Sequence, residues 1–313
     1  MSILCAGQLV FDILAKPVNS RSLELDTTAV DTISFSNGGD ALNVAMICSK
    51  LGESVGFSGR VGNDDKGKFL LEKMSAAGMQ IDGVKIGEES DTSSVIVLIH
   101  DDGARNFLYH GGANDEFTIA DVDFSILEDY SIVFVGGTFM LPKFDGEGAA
   151  LLFKQAQGLG KVTAMDVSYD TTGQWMKIIE PSLQYLDYFI PSIGEGEEIT
   201  GVERPEEMAE IFMRKGVKNV VIKMGKDGVY IKNDTLEKVI PAFRVEVVDT
   251  TGAGDSFVAG FLTGLDRGMN IEESAELGQA AAAHCVQAIG STTGVVDFNK
   301  TILSMKTMEK RNE

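Results

Sequence analysis

Asp249-Thr-Thr-Gly-Ala-Gly-Asp-Ser-Phe257 is the stretch that most constrains how this chain can fold. Apolar residues Phe243, Val245, Val247 and Val248 run into it, and a helical pattern (Phe257, Val258, Phe261, Leu262, Leu265) leaves it. The expectation is a strand that delivers a turn of small residues into a helix N-terminus, as in an α/β protein. Gly252, Ala253 and Gly254 carry almost no side chain, so backbone N–H groups can approach a ligand closely there. The first amides of a helix lack intrahelical partners and sit at the positive end of its dipole, which suits an anion. Asp255 places a carboxylate inside that anion site, either as a simple helix-start residue or as a base held beside a phosphate. A dinucleotide fingerprint would need a glycine where Phe257 stands, and no GxxxxGK[ST] P-loop occurs anywhere.

The rest of the chain alternates. Residues 3–6 read as a buried strand ending at Gly7, and residues 10–15 as another, with Asp12 embedded in it. Residues 32–36 form a strand, Asn37-Gly-Gly-Asp40 a turn and residues 41–51 a helix stopped by Gly52. Residues 55–61 then form a strand and 66–77 a helix, the pattern of a parallel sheet with crossovers. A hairpin interrupts it: residues 93–100 and 106–110 around an Asp101-Asp-Gly103 turn. With the strands near 10–16 and 31–36, this hairpin can form a small separate sheet, a flap over the main one. Strands at 132–135 (ended by Gly136-Gly137), 162–167, 188–190, 219–224 and 229–232, with helices at 147–159, 205–214 and 271–288, resume the alternation. The charged tail, 306–313, is expected to fray.

Composition narrows the partners. A net charge of −20 over 313 residues argues against nucleic-acid backbones and anionic membranes, although a local nest of N–H groups can still bind an anionic nucleotide. Cys5, Cys48 and Cys285 are far apart and suggest neither a disulfide framework nor a zinc site, so a reducing cytoplasm is expected. The N-terminus has no positive region ahead of its apolar residues, so no signal peptide is read there. No apolar run reaches the roughly 18 residues of a membrane span. His100, His110 and His284 have no metal-binding spacing, though His110, before Gly111-Gly-Ala-Asn114, is placed to touch a substrate.

Two further groups of residues draw attention. Asn37-Gly-Gly-Asp-Ala-Leu-Asn43 heads a helix, with glycines that permit close approach and an Asn43 that either binds a ligand or faces solvent. Asp12 lies in an apolar run, where an unpaired carboxylate is costly; it accepts from substrate hydroxyls or from its own backbone.

Taken together, Gly38-Gly-Asp-Ala-Leu-Asn43-Val-Ala45 with Gly52 and Gly62 resembles the N-terminal signature of the ribokinase-like (PfkB) carbohydrate kinases. Asp249-Thr-Thr-Gly-Ala-Gly-Asp255-Ser-Phe257 resembles their C-terminal signature, and the resemblance covers essentially the whole chain. It implies one ribokinase-like domain over 1–313, a mainly parallel sheet between helix layers (three-layer α/β/α), with lid strands inserted at roughly 10–36 and 90–115. It implies an ATP- and magnesium-dependent sugar kinase with Asp255 as base and Gly252, Ala253 and Gly254 as the anion hole. Asp12, Gly38, Gly39 and Asn43 would bind the sugar, and Ser192, Lys223, Gly225, Gly228 and Gln279 the nucleotide. Glu195 would hold magnesium through water. Asp249, Thr251 and the loop at Gly290 fall where many members hold a monovalent cation such as potassium. Pairing of lid strands between subunits would make a homodimer. Two departures stand out. Ser192-Ile-Gly-Glu195 replaces Asn-x-x-Glu, and Asp166-Val-Ser168-Tyr-Asp170 replaces Asp-x-Asn-x-Arg, where Asp170 would repel an acidic sugar. A neutral sugar or polyol is therefore expected. A nucleoside kinase, a sugar-sensing pseudokinase and, least in keeping with the motif positions, a nicotinamide dehydrogenase are the alternatives.

Overall fold

The computed structural model describes residues 2–100 and 104–311. In chain order its strands are β1 (Ser2–Gly7), β2 (Val10–Val18), β3 (Thr32–Gly38), β4 (Ser54–Gly62), β5 (Val84–Gly87), β6 (Ser94–His100), β7 (Arg105–His110), β8 (Ile132–Thr138), β9 (Val162–Val167), β10 (Tyr188–Phe189), β11 (Asn219–Lys223), β12 (Val229–Lys232) and β13 (Glu237–Ile240). The α-helices are α1 (Asp40–Lys50), α2 (Asp65–Ala76), α3 (Ala113–Glu116), α4 (Glu147–Gly158), α5 (Met176–Leu183), α6 (Ile193–Thr200), α7 (Pro205–Arg214), α8 (Ala253–Asp266), α9 (Ile271–Cys285) and α10 (Phe298–Thr307).

Nine strands make the main sheet, in the order β13-β12-β11-β10-β9-β8-β1-β4-β5, parallel from β11 through β5 and antiparallel at β11–β12–β13. Its inner strand β1 is apolar on both faces, as a doubly covered sheet requires. Ile3 and Cys5 of β1 pack with α1, α2, α8 and α9, while Leu4 and Ala6 pack with α4, α5 and α7 on the other side. The chain leaves β1 toward β4 and β5, then returns to the other side at β8. That reversal is a topological switch point, where ligands of open α/β sheets bind beyond the carboxyl ends of the strands. Gly7 and Gly136 face each other there, and a Cβ on Gly7 would lie 2.1 Å from the Gly136 carbonyl oxygen.

The second sheet has the order β3-β2-β6-β7 and fits a lid. It is the separate sheet expected from the interrupting hairpin, whose turn at 101–103 lies outside the described residues. By side-chain alternation Asp12, Arg105 and Tyr109 share one face, and Phe35, Ile96, Leu108 and His110 the other.

Several expectations were not met. No strand runs into Asp249: residues 244–248 pair in no sheet, and Val247 and Val248 are exposed. An apolar run there serves instead as the wall of a cavity. The turn expected at 37–40 is narrower, because Asn37 and Gly38 still pair in β3. Gly136-Gly137 does not end β8, which reaches Thr138 past a register shift. The tail does not fray through residue 311: Lys306 and Thr307 close α10, Arg244 N–H donates to the Glu309 carbonyl (2.8 Å), and Arg311 N–H donates to Ala242 (2.7 Å). Residues 312 and 313 lie outside the described residues.

Candidate active site

The starts of α1 and α8 carry no capping side chain, and both face one point. Gly39 (φ 89°) leads into α1 and Gly252 (φ 74°) into α8, and neither offers a side chain to the first-turn amides. Positive φ explains glycine at both positions. Asn43 Nδ2 donates to Asp255 Oδ2 at 2.9 Å, joining the first turns of the two helices. Further along, Cys48 Sγ lies 3.7 Å from the Ala259 carbonyl oxygen. The helices thus run side by side in the same direction, with both positive dipole ends at the cleft.

Asp255 is the carboxylate at that meeting point. Burial raises its pKa well above the usual carboxylate range, repulsion from Asp40 adds to this, and the Asn43 hydrogen bond opposes it. A carboxylate that holds protons more strongly is a better acceptor for a hydroxyl proton. Gly252, Ala253 and Gly254 lie directly ahead of it or beside it; no side chain caps this start, and while Ala253 N–H donates to the Thr250 carbonyl (3.2 Å), the helix end as a whole suits an anion.

Asp255 opens into a cavity of about 440 Å³ lined by Asp40, Asp166, Ser192, Glu195, Lys223 and Gly254. Lys223 forms an ion pair with Asp166. Burial would lower the pKa of Lys223, but Asp166 and Glu195 outweigh it and hold the ammonium above its ordinary range. Burial pushes Glu195 up to about 7 against the pull of Lys223. Ser192 is the N-cap of α6, and the pair forms a capping box: Ser192 Oγ accepts from Glu195 N–H (3.3 Å), and Glu195 Oε2 accepts from Ser192 N–H (2.6 Å). The departure from Asn-x-x-Glu is therefore also a helix start, and only part of Glu195 remains for a ligand.

A second cavity, of about 270 Å³, adjoins the first through Lys223, Gly225 and Gly254. Phe243, Val245, Val247 and Val286 wall it, and Gln279 and Gly228 also line it. Gly228 (φ 98°) leaves room for the neighbouring strand, because a Cβ would lie 2.1 Å from the Ile240 carbonyl oxygen. An apolar slot leading to a helix-start anion site fits an aromatic base joined to phosphates.

On the lid side, burial pushes Asp12 up to about 7 while Lys73 draws it down. Gly38 is what lets the Asp12 carboxyl sit against the next strand: a Cβ there would lie 2.3 Å from Asp12 Oδ2. Asn37 Nδ2 donates to Asn43 Oδ1 (3.1 Å), Ser291 Oγ to the same atom (3.2 Å), and Lys73 Nζ to Asn37 Oδ1 (3.3 Å). Asn43 is thereby fixed from three sides.

Asp249, Thr251 and Gly290 also come together, but around a guanidinium. Arg105 Nη2 lies 2.5 Å from Asp249 Oδ1, and Arg105 also donates to the Thr251 hydroxyl. Gly290 N–H donates to Asp249 Oδ2 and Thr251 N–H to Oδ1, each at 2.8 Å. Burial would raise Asp249, but Arg105 and these two amides outweigh it and hold the carboxyl below its ordinary range.

Other expectations change as well. Asp170 does not face the cleft: its carboxyl accepts from Thr172 N–H (2.7 Å), Thr172 Oγ1 (2.7 Å) and Trp175 N–H (2.6 Å), so it shapes its own loop. The expected repulsion of an acidic substrate by Asp170 has no basis in this geometry. His110 is exposed and lies on the lid face opposite Asp12; Tyr109, hydrogen-bonded to Gln8 and Asn114, is on the Asp12 face. His100 and His284 pair with Asn106 and Ser304. Sequence reasoning passed over Arg105, Lys73 and Tyr109; Arg105 meets Thr251 146 residues on, and Lys73 meets Asn37 36 residues back. Among the described residues no group of three or more His, Cys, Asp or Glu is arranged to hold a metal ion directly, and no helix is long and apolar enough to cross a membrane.

The sheet, the lid and the paired helix starts define a ribokinase-like fold, and comparison with known proteins agrees. Residues 1–297 match the pfkB family carbohydrate kinases. Ribokinase of Thermotoga maritima superposes with a TM-score of 0.85 at 27% identity, over 97% of this chain and 99% of that one. Arabidopsis thaliana ribokinase, solved with ribose and ATP, superposes with a TM-score of 0.78 at 25% identity, over 97% and 98%. The 2-dehydro-3-deoxygluconokinase of Bacillus subtilis is 29% identical over 278 residues, 85% of each chain. The chain belongs to the pfkB family of carbohydrate kinases. It is a sugar kinase, a phosphotransferase with an alcohol group as acceptor, which removes the dehydrogenase alternative.

Proposed function

We propose that this kinase transfers the γ-phosphoryl group of ATP to a hydroxyl of a neutral sugar or related polyol, with Asp255 as general base. The observation that carries the proposal is the Asn43–Asp255 hydrogen bond between two uncapped helix starts. It sets a proton acceptor beside an anion site, and phosphoryl transfer needs little beyond that positioning and charge stabilisation. The base of ATP occupies the apolar slot by Gln279, Gly225 and Gly228, and its phosphates run past Lys223 and Ser192 to the amides of 252–254. The ribose and ATP complex of the Arabidopsis relative favours this assignment.

The residues present fit magnesium in its usual manner. Such an ion needs only one or two carboxylates beside its waters, and Asp166 and Glu195 at the cleft would hold it. When bound, it neutralises charge on the phosphates. Asp12, the backbone at Gly38 and Gly39, and Asn43 bind sugar hydroxyls. Asp255 takes the proton of the attacking one, and the lid keeps water from competing.

Neutrality of the sugar rests on the balance of charge. Asp12 and Asp255 face the sugar side, and both cations near it are engaged: Lys73 by Asn37 and Arg105 by Asp249. A substrate carboxylate would meet the carboxyl groups of Asp12 and Asp255, with Arg105 already paired to Asp249, whereas hydroxyl donors find acceptors. The unit acts as one domain over 1–313 in the cytoplasm, in keeping with three buried free cysteines. It pairs as a homodimer through the outer lid face, where Phe35 (58%) and Leu108 (55%) are exposed; a Phe35→Glu variant sedimenting like the wild type would remove that assignment.

The deciding experiment is a coupled ADP-release screen with ATP and magnesium over neutral sugars, polyols, sugar acids and nucleosides. ADP release that depends on a neutral sugar is the expected result. Release only with a sugar acid or a nucleoside overturns the substrate class, and none with any acceptor favours a sugar-sensing pseudokinase.

A further inference from the structure

We propose that the Arg105 guanidinium takes the place of the monovalent cation beside the anion-binding turn, so that this enzyme works without potassium. The proposal builds on the kinase assignment of the site. An alkali cation needs several oxygen atoms free to replace its water shell. Around Asp249 those atoms are already matched to donors. Oδ1 accepts from Thr251 N–H and pairs with Arg105, and Oδ2 accepts from Gly290 N–H. The Thr251 hydroxyl accepts from Arg105, and the Thr251 carbonyl oxygen takes the Cys285 thiol at 3.3 Å. The Asp249 side chain is only 3% exposed, so water does not reopen the set. An added potassium ion would meet a fixed positive charge where it needs oxygen.

The substitution has a structural consequence. Thr251 immediately precedes Gly252, which leads into α8, so whatever fixes Thr251 fixes the turn that presents the anion-binding amides. A spherical ion holds oxygens at a distance without direction. A planar guanidinium spans two acceptors in a set orientation, and lysine does not reproduce that fork. Arg105 comes from β7, 146 residues before Thr251, and shares its lid face with Asp12. The charge that steadies the catalytic turn is therefore part of the sheet that holds the sugar. Arg105 is a positioning residue, acting on the phosphate through Thr251 and the turn.

The test measures ADP release and melting temperature in potassium chloride and in choline chloride at equal ionic strength, for wild type, Arg105→Ala and Arg105→Lys. Wild type should show the same rate in both salts and no stabilisation specific to potassium. Arg105→Ala should lose about tenfold or more in kcat, the worth of a charge-assisted hydrogen bond. It should recover part of this with guanidinium or potassium, and melt higher in potassium than in choline. Arg105→Lys should fall short of wild type in kcat. A wild-type rate or melting temperature that rises specifically with potassium overturns the proposal, as does an Arg105→Ala enzyme with full activity in choline. If the alanine variant does not fold, the wild-type salt comparison still decides. Melting reads cation binding without turnover, so failure of every acceptor would refute the kinase assignment while the cation question is answered separately.

Discussion

Asp12→Asn should make the protein more stable and the enzyme worse. Asp12 sits in β2, and burial pushes its pKa to about 7 despite Lys73 nearby. In the unfolded chain the same carboxyl ionises near 3.9. Between about pH 4 and pH 7 the folded state keeps a proton that the unfolded state has released, so stability falls as pH rises through that window. The slope is about 1.4 kcal/mol per pH unit, giving a cost of at most about 4 kcal/mol that is complete above pH 7. Asparagine has nearly the same shape and no charge to desolvate. The variant should therefore gain up to about 4 kcal/mol near pH 8 and almost nothing near pH 4. For a chain of this size that is a rise of several degrees in Tm, about 2 °C per kcal/mol. Urea midpoints of both proteins at the two pH values measure it. The same variant should lose about 10- to 100-fold in kcat/KM for its sugar, because a charged acceptor for a hydroxyl is gone. A gain that is equal at both pH values, or a loss of stability near pH 8, would refute the reasoning about burial. Unchanged kcat/KM would remove Asp12 from the sugar site.

Gly38→Ala should raise KM for the sugar with little effect on ATP, since its Cβ would lie 2.3 Å from Asp12 Oδ2 and must displace that carboxyl; initial rates at varied sugar and ATP separate the two. Lys223→Met should leave Asp166 and Glu195 without their cation. Removing one partner of a buried ion pair costs about 3–5 kcal/mol, so urea melts should show a large loss beside a fall in kcat. The kcat/KM profile should carry an acid limb well above the ordinary carboxylate range, rising with pH as Asp255 ionises, because its pKa is raised and a base acts only when deprotonated.

Both ends of the reaction centre were legible in the sequence because each is a local arrangement. The small residues at 252–254 and the Gly38–Asn43 segment make helix starts from neighbours in the chain, and glycine at a positive φ leaves its mark on sequence. What escaped depends on distant partners or on residues with two roles. Arg105 reads as an ordinary lid-strand residue until the fold carries it to Asp249. Asp170 was expected to face a substrate because the resemblance places it where Asp-x-Asn-x-Arg has its Arg, yet the amides of its own loop claim both oxygens. Ser192-Ile-Gly-Glu195 has the spacing of a capping box and announces α6, but viewed as an altered phosphate motif it concealed that helix. The strands β5 and β13, four residues each, and α5, with Pro181 inside it, carry too little periodicity to stand out. The exposed run 244–248 has strand-like composition and no neighbouring strand to pair with, which composition alone does not reveal.

The central claim is that Asp255 accepts the proton of the attacking hydroxyl, and Asp255→Asn tests it most directly. The variant keeps an amide where Asn43 bonds and loses a carboxylate repelled by Asp40, so it should fold at least as well as wild type and still bind ATP. Its sugar-dependent kcat should fall by roughly 10²–10⁴, and the acid limb of the pH profile should vanish. Turnover close to wild type in a folded, nucleotide-binding variant would contradict the account.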